Sequence, residues 1–170
     1  SRSRYLGVAA SARRQRRIHD SMRAVVQRVT SARVTVDDEV VGAIARGLLV
    51  LVGVGREDTA RVAETFATRL VTLRLFPSSC GRFDRSVDEI DGSVLLVSQF
   101  TLYGDCRRGR RPSFDRAADS NVAQRVYEAC VTAIRGRGVR VETGRFQADM
   151  AVKSINDGPV TVLLDTDKIF

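Results

Sequence analysis

The chain has a single histidine, His19, and it lies in an arginine-rich stretch ahead of the first apolar run. From Met22 onward there is none, so this part of the chain cannot assemble a Ser-His-Asp or Cys-His hydrolase, each of which needs a positioned imidazole to take the nucleophile's proton. The H-E-x-x-H metal pattern, the G-x-S-x-G elbow and the Walker phosphate loop are missing as well. Cysteine is scarce: Cys80, Cys106 and Cys130 are odd in number and form no CxxC pair. That argues against a disulfide framework or a zinc site and points to a reducing, intracellular compartment. No run approaches the ~18 consecutive apolar residues of a membrane span, so a soluble protein with no membrane partner is expected.

What is present fits one compact domain. The 170 residues are 44% hydrophobic, enough for a sizeable core. The net charge of +8 is unevenly spread. Residues 1–21 hold six arginines against Asp20, a balance of +5, which leaves +3 for the rest. This Ser- and Arg-rich leader reads as a transit-like segment, a disordered arm or a start-site artefact, and it stands outside fold and active site. The domain is placed at 22–170.

Along the domain, Ala24 to Val29, Ala32 to Val36, Val40 to Ile44 and Leu48 to Val54 read as strands, with a polar turn at Asp37-Asp38-Glu39. Leu48 to Val52 is solidly apolar and predicts a covered central strand. A helix follows, capped near Asp58-Thr59, with Val62, Phe66, Leu70 and Leu73 as its buried stripe. Pro77 to Asp91 reads as a loop or irregular hairpin. A second helix starts near Asn121, with Asn121 and Gln124 as a cap pair and Val122, Val126, Cys130 and Ala133 inward, and ends at Gly136. Val139 to Val141, Ala151 to Ile155 and Val160 to Leu164 complete the strands. The expected fold class is α+β, an antiparallel or mixed sheet packing two helices.

Two stretches carry chemistry. Val94 to Val97 reads as a buried strand, but Ser98, Gln99 and Thr101 then place polar groups where apolar ones would continue the core, and buried polar groups need partners. Ser98 and Thr101 either satisfy neighbouring backbone or meet a ligand. Near the C-terminus Asn156-Asp157-Gly158-Pro159-Val160-Thr161 separates two strand-like runs, and Gly-Pro there predicts a rigid turn. The four arginines of Cys106 to Pro112 form either a solvated loop or a phosphate-binding cluster, and their nearness to the polar strand end favours RNA.

Together, Ser98-Gln99-Phe100-Thr101-Leu102 and Asn156-x-Gly158-Pro159-Val160-Thr161 resemble the two signatures of the D-aminoacyl-tRNA deacylases. The resemblance extends over Met22 to Val29, Arg111 to Phe114 and Ala148 to Met150. Gln147 departs from it, standing where a glycine is expected, and residues 1–21 have no counterpart. The resemblance implies a β-barrel-like sheet with two helices, a homodimer, and hydrolysis of the ester of D-aminoacyl-tRNA with L-aminoacyl-tRNA rejected. It implies an enzyme that binds the tRNA 3′ end; with no ligand cluster in the sequence no metal or cofactor is expected, and the reducing compartment is expected to be the cytoplasm. It carries catalytic roles onto Ser98, Gln99, Phe100 and Thr101, and substrate-binding roles onto Gly158, Pro159, Arg28, Met150 and Phe146. In the family the Gly-Pro bond is cis and enters the partner's pocket, where its carbonyls receive the α-amino group, and Arg28 is expected to hold that loop. Thr101 is the obvious protein nucleophile, but it has no evident base, so assistance by the substrate's own 2′-hydroxyl is preferred. Phe100 is expected to stack on the terminal adenine. Competing readings are an editing enzyme of the same fold with other selectivity, a non-catalytic nucleic-acid-binding module and a purely structural oligomer.

Overall fold

A computed structural model describes residues 21–169. The chain opens with β1 (Arg23–Val36), followed by β2 (Glu39–Ile44) and β3 (Gly47–Gly53). Helix α1 (Ala60–Thr72) leads to the short β4 (Phe76–Pro77) and β5 (Phe83–Arg85), then β6 (Ser93–Ser98) and a 3-10 turn at Phe100–Tyr103. Helix α2 (Ser120–Arg135), β7 (Arg140–Thr143) and β8 (Ala151–Asp165) complete it.

The main sheet is mixed. β1 is antiparallel to β3 through its first half, to β2 through its second half, and to β8 along nearly all of its length. β3–β6 and β6–β7 are parallel, and a parallel pair needs a long crossover, which α1 and α2 supply. The sheet curls until Gly42 of β2 lies against the carbonyl of Thr143 in β7, giving a nearly closed barrel.

Curling creates two cores, one on each face of the same strands. Side chains alternate along a strand, so Leu48, Val50, Val94 and Leu96 meet Phe66 and Leu70 of α1 and Cys130 and Ile134 of α2, while Leu49, Leu95 and Val97 fill the barrel with Val29, Val34 and Ile44. This double burial is why Leu48 to Val52 of β3 and Val94 to Val97 of β6 are apolar without a break. Each fully buried Leu, Val or Phe side chain contributes roughly 1.5–3 kcal/mol.

Several expectations shift. β1 does not break at Thr30-Ser31; it passes unbroken from β3 to β2 because β8 ladders it on the other side. Asp37 and Asp38 both take positive φ, the tight two-residue hairpin conformation that Asp tolerates better than most residues. The stripe of α1 is Ala63, Phe66, Ala67, Leu70 and Val71; Val62 is only half-buried and Leu73 is the C-cap, because the small alanines let the helix sit close to the sheet. Thr59 caps it by accepting from the Val62 N–H. Asp119, not Asn121, caps α2, its carboxylate accepting from the Val122 N–H at 3.0 Å, while Gln124 donates to Glu128. Val122 and Ala133 are half-buried, and Tyr127, Val131 and Ile134 join Val126 and Cys130 inside. Cys80 and Cys106 are exposed.

The largest revision concerns the Gly-Pro stretch. It is not a turn between two strands but an interruption within β8, since both flanks pair with the same strand, β1. Gln27 faces Thr161 and Val29 faces Asn156, so residues 157–160 bulge out opposite Arg28 alone.

Candidate active site

β6 delivers the first signature to the sheet edge. After Ser98 the Gln99 N–H donates to the Val52 carbonyl at 2.8 Å, and the chain then tightens into the 3-10 turn, closed by Leu102 N–H to Gln99 O and Gly104 N–H to Thr101 O. The turn sits directly on β3: a Cβ at Gly53 would stand 3.1 Å from the Gln99 carbonyl and 3.2 Å from Leu102. A side chain at Gly53 would require the turn to give way by a few tenths of an ångström. Beneath it Tyr103 is buried with the Arg23 guanidinium 4.6 Å from its ring centroid, and Arg23 faces Asp165 at 3.6 Å. Ser21, which is buried, donates to that same carboxylate at 2.8 Å.

The polar groups of the turn are less enclosed than the sequence suggests. Ser98 and Gln99 are half-buried, and Phe100 and Thr101 are exposed, because the strand reaches the sheet edge at Ser98. The Thr101 hydroxyl accepts from the Gln99 carboxamide rather than engaging backbone. The ring of Phe100 is 56% exposed and meets Phe114 edge-on at 5.0 Å. As the opening residues of the turn, Phe100 and Thr101 present N–H groups with no acceptor inside it. The Gln99 N–H is already committed to β3.

A cleft of about 760 Å³ adjoins the turn. Ser98, Gln99 and Phe100 form one wall, the start of α2 a second, and Phe146 to Met150 a third. Phe146 packs against Tyr127, whose ring centroid lies 6.0 Å away, and Tyr127 donates its hydroxyl to the Leu96 carbonyl at 2.7 Å. Burial holds that phenol protonated by raising it well above its ordinary range. Met150 packs against the barrel core. Gln147, the departure from the family pattern, has φ 60, which explains why glycine suits the position; its carboxamide donates to the Ser120 hydroxyl at 2.7 Å across the cleft wall. Among the described residues no group of three or more His, Cys, Asp and Glu could hold a metal ion.

The second signature is built as a rigid projection. Asn156 accepts from the Val160 N–H and donates to the Thr161 hydroxyl, which also accepts from Gln27, so the ends of the bulge are clipped together. Gly158 has φ 131, a conformation that favours glycine, and its bond to Pro159 is cis. Arg28 is buried. Its Nε donates to the Asp157 carbonyl at 3.2 Å and faces the Asp157 carboxylate at 3.3 Å, and its Nη1 donates to the Leu75 carbonyl at 2.8 Å. Gly158 and Pro159 are exposed.

Of the residues singled out from sequence, Ser98, Gln99, Phe100, Phe146 and Met150 thus share one cleft, with Thr101 tied to Gln99. Gly158, Pro159 and Arg28 do not line it. Sequence reasoning passed over Asn156, Thr161, Asp157 and Gln27, although the first two are fixed positions of the second signature and their clip explains why.

Known proteins resemble the chain along most of its length. A family model described as D-Tyr-tRNA(Tyr) deacylase matches residues 25–165. The D-aminoacyl-tRNA deacylase of Thermotoga petrophila is 54% identical over 149 residues, covering 88% of this chain and all of that protein. Among solved structures, a c-Myc DNA unwinding element binding protein superposes with TM-score 0.78 at 38% identity, covering 84% of this chain and 97% of its own. A probable eukaryotic D-amino acid tRNA deacylase superposes with TM-score 0.77 at 19% identity, covering 85% and 99%, a likeness of fold. Matched along most of its length by that family model and by a relative more than half identical, the chain belongs to the D-Tyr-tRNA(Tyr) deacylase family.

Proposed function

We propose that this protein hydrolyses the ester joining a D-amino acid to the 3′-terminal ribose of tRNA, releasing both, and spares L-aminoacyl-tRNA. It acts as a homodimer in the cytoplasm, where charged tRNA is used, with Gly158-Pro159 of one subunit completing the cleft of the other. The observation that carries this reading is the separation of the signatures: a cleft lined by the first, and a clipped, exposed projection bearing the second that does not line the cleft of its own chain. The projection interrupts β8, along which Val152, Ile155 and Leu163 are exposed, apolar surface that a second copy would cover.

In the assembled site the exposed carbonyls of the projection receive the substrate's α-amino group. With amino group and ester both fixed, a D side chain points into open space and an L side chain is driven into the projection, so selectivity arises by clash. Phe100, exposed at the mouth, stacks on the terminal adenine, and Phe146 and Met150 line its pocket. The N–H groups of Phe100 and Thr101 face the carbonyl oxygen as it gains charge in the tetrahedral intermediate. The ribose 2′-hydroxyl, already beside the ester, activates the attacking water, and the Gln99–Thr101 pair orients these groups. The acyl–oxygen bond then breaks and the ribose 3′-oxygen leaves with a proton. Release of amino acid from D-Tyr-tRNA and from L-Tyr-tRNA tests this: the D ester is cleaved and the L ester persists, and equal rates on both would remove the selectivity argument. Nucleic-acid binding with neither ester cleaved would favour a binding module instead.

A further inference from the structure

Directly after the signature turn, the chain from Asp105 to Ser113 forms a closed loop. Its ends are joined by paired backbone hydrogen bonds, Asp105 N–H to Ser113 O at 2.8 Å and Ser113 N–H to Asp105 O at 3.0 Å. The base of the loop is therefore fixed to the active-site turn. Between Asp105 and Arg116 the chain carries five arginines against two aspartates. Asp105 is spent on Arg107, accepting from its Nε at 2.8 Å and from its backbone N–H at 3.0 Å. Arg108, Arg110 and Arg111 are exposed and enter no ion pair among the described residues. The tip stands away from the body: at Gly109 nothing lies within 4 Å of where a Cβ would be. Three exposed guanidinium groups on one loop, none of them in an ion pair among the described residues, leave their donors open to the phosphates of a polyanion.

The loop is also continuous with the cleft. A second depression, lined by Arg56, Phe100 and Phe114, shares Phe100 with the cleft and ends at the foot of the loop, where Phe114 follows Ser113. A strand whose last base occupies the cleft and leaves past Phe100 runs by Arg56 and Phe114 to the foot of the loop.

We propose that the loop from Asp105 to Ser113 is a phosphate clamp for the acceptor-stem backbone of tRNA, with Arg108, Arg110 and Arg111 as its contacts and Arg56 as the step between clamp and cleft. The inference rests on the deacylase reading for its choice of nucleic acid. Such a clamp adds affinity without touching the chemistry, so it acts on KM and on salt dependence and leaves kcat alone.

The test compares the wild type with R108Q/R110Q/R111Q and with R61Q/R74Q/R137Q, which removes the same charge from exposed arginines elsewhere. Substrates are D-Tyr-tRNA and D-tyrosyl-adenosine, and binding of uncharged tRNA is followed by fluorescence anisotropy across a salt series. The loop variant is expected to raise KM for D-Tyr-tRNA at least about tenfold with kcat unchanged, and to lower the slope of log K against log salt by about 2–3, near 0.7–0.9 per lost phosphate contact. Cleavage of D-tyrosyl-adenosine should not change, since it has no stem. A loop variant with wild-type KM and slope, or a control variant that loses as much, would overturn the clamp while deacylation by the wild type leaves the enzyme reading standing. A wild type that cleaves neither ester, with tRNA binding still weakened only by the loop variant, would overturn the deacylase reading and keep the clamp.

Discussion

Replacing Thr101 with alanine separates the two sources of the nucleophile, and the structure sets the size of each outcome. The Thr101 side chain is exposed, and its hydroxyl accepts one hydrogen bond, from the Gln99 carboxamide. The described residues offer no imidazole to take its proton, since the only histidine is His19. If the hydroxyl only orients Gln99 and substrate, its loss removes one neutral hydrogen bond, about 0.5–1.5 kcal/mol, or roughly 2- to 12-fold in rate. If it attacks the ester, its loss costs on the order of 10⁴ or more. The fold tolerates the change, because the 3-10 turn is closed by backbone bonds. Single-turnover release of labelled D-tyrosine from D-Tyr-tRNA measures the rate, alongside a tRNA ending in 2′-deoxyadenosine charged on the 3′-oxygen. We expect the small loss for Thr101→Ala and a loss on the order of 10²–10⁴ for the 2′-deoxy substrate, the usual size of a missing acid–base group. An inactive Thr101→Ala together with normal cleavage of the 2′-deoxy ester would refute substrate assistance, and an acyl-threonine trapped on the wild type would name the nucleophile.

Other perturbations follow from the same geometry. Arg28→Met strips the charged donor from the Leu75 carbonyl and from Asp157, and should cost about 3 kcal/mol in urea unfolding and abolish selective deacylation; a loss under about 1 kcal/mol with full activity would deny Arg28 its part in holding the projection. Gln147→Gly relaxes a left-handed backbone, worth about 1–2 kcal/mol, and forfeits the bond to Ser120, about 0.5–1.5 kcal/mol, so stability should barely move while KM rises a few-fold at constant kcat; an unchanged KM would remove Gln147 from the working wall. Burial pushes the Cys130 thiol up to about 12. Because its native value is raised, the stability linked to the neutral thiol is complete below the ordinary thiol range and is lost as pH climbs toward the native value. Iodoacetamide on the native protein should label Cys80 and Cys106 and spare Cys130 in peptide mass spectra, and rapid labelling of Cys130 would show that the helix–sheet core opens.

Much of the fold was legible because the periodicities are strong. Leu48 to Val52 and Val94 to Val97 are apolar at every position, a pattern only strands covered on both faces require, and they are the parallel pair β3 and β6. Phe66 and Leu70 marked the buried side of α1, and Val126 and Cys130 that of α2. The cap of α2 was misplaced by two residues because Asp119, Asn121 and Ser120 are all competent caps by type, and only the path of the chain into the helix selects one. The membership of the cleft could be anticipated for Ser98 to Phe100, Phe146 and Met150 because they flank recognisable motifs. The position of Gln147 could not, since its effect depends on a φ that sequence does not print.

What the residues determined by themselves was the list of parts: apolar runs that must be covered, two polar signatures that no core would tolerate, a histidine-free domain that must find its base elsewhere, and a basic loop beside the first signature. Tertiary structure decided how those parts meet. A Gly-Pro step reads as a turn in isolation, because local geometry permits reversal there; it becomes a projection because Ala151 to Asn156 and Thr161 to Asp165 both ladder onto the one long strand β1, which keeps the flanks collinear and forces the intervening residues outward against Arg28. The same pairing makes Arg28, expected to hold the loop, a buried anchor, since the bulge and Leu75 close over its guanidinium. Pairing between distant segments is set by the summed burial of both sheet faces and by backbone hydrogen bonds over the whole of β1, a free energy that no single stretch of sequence contains.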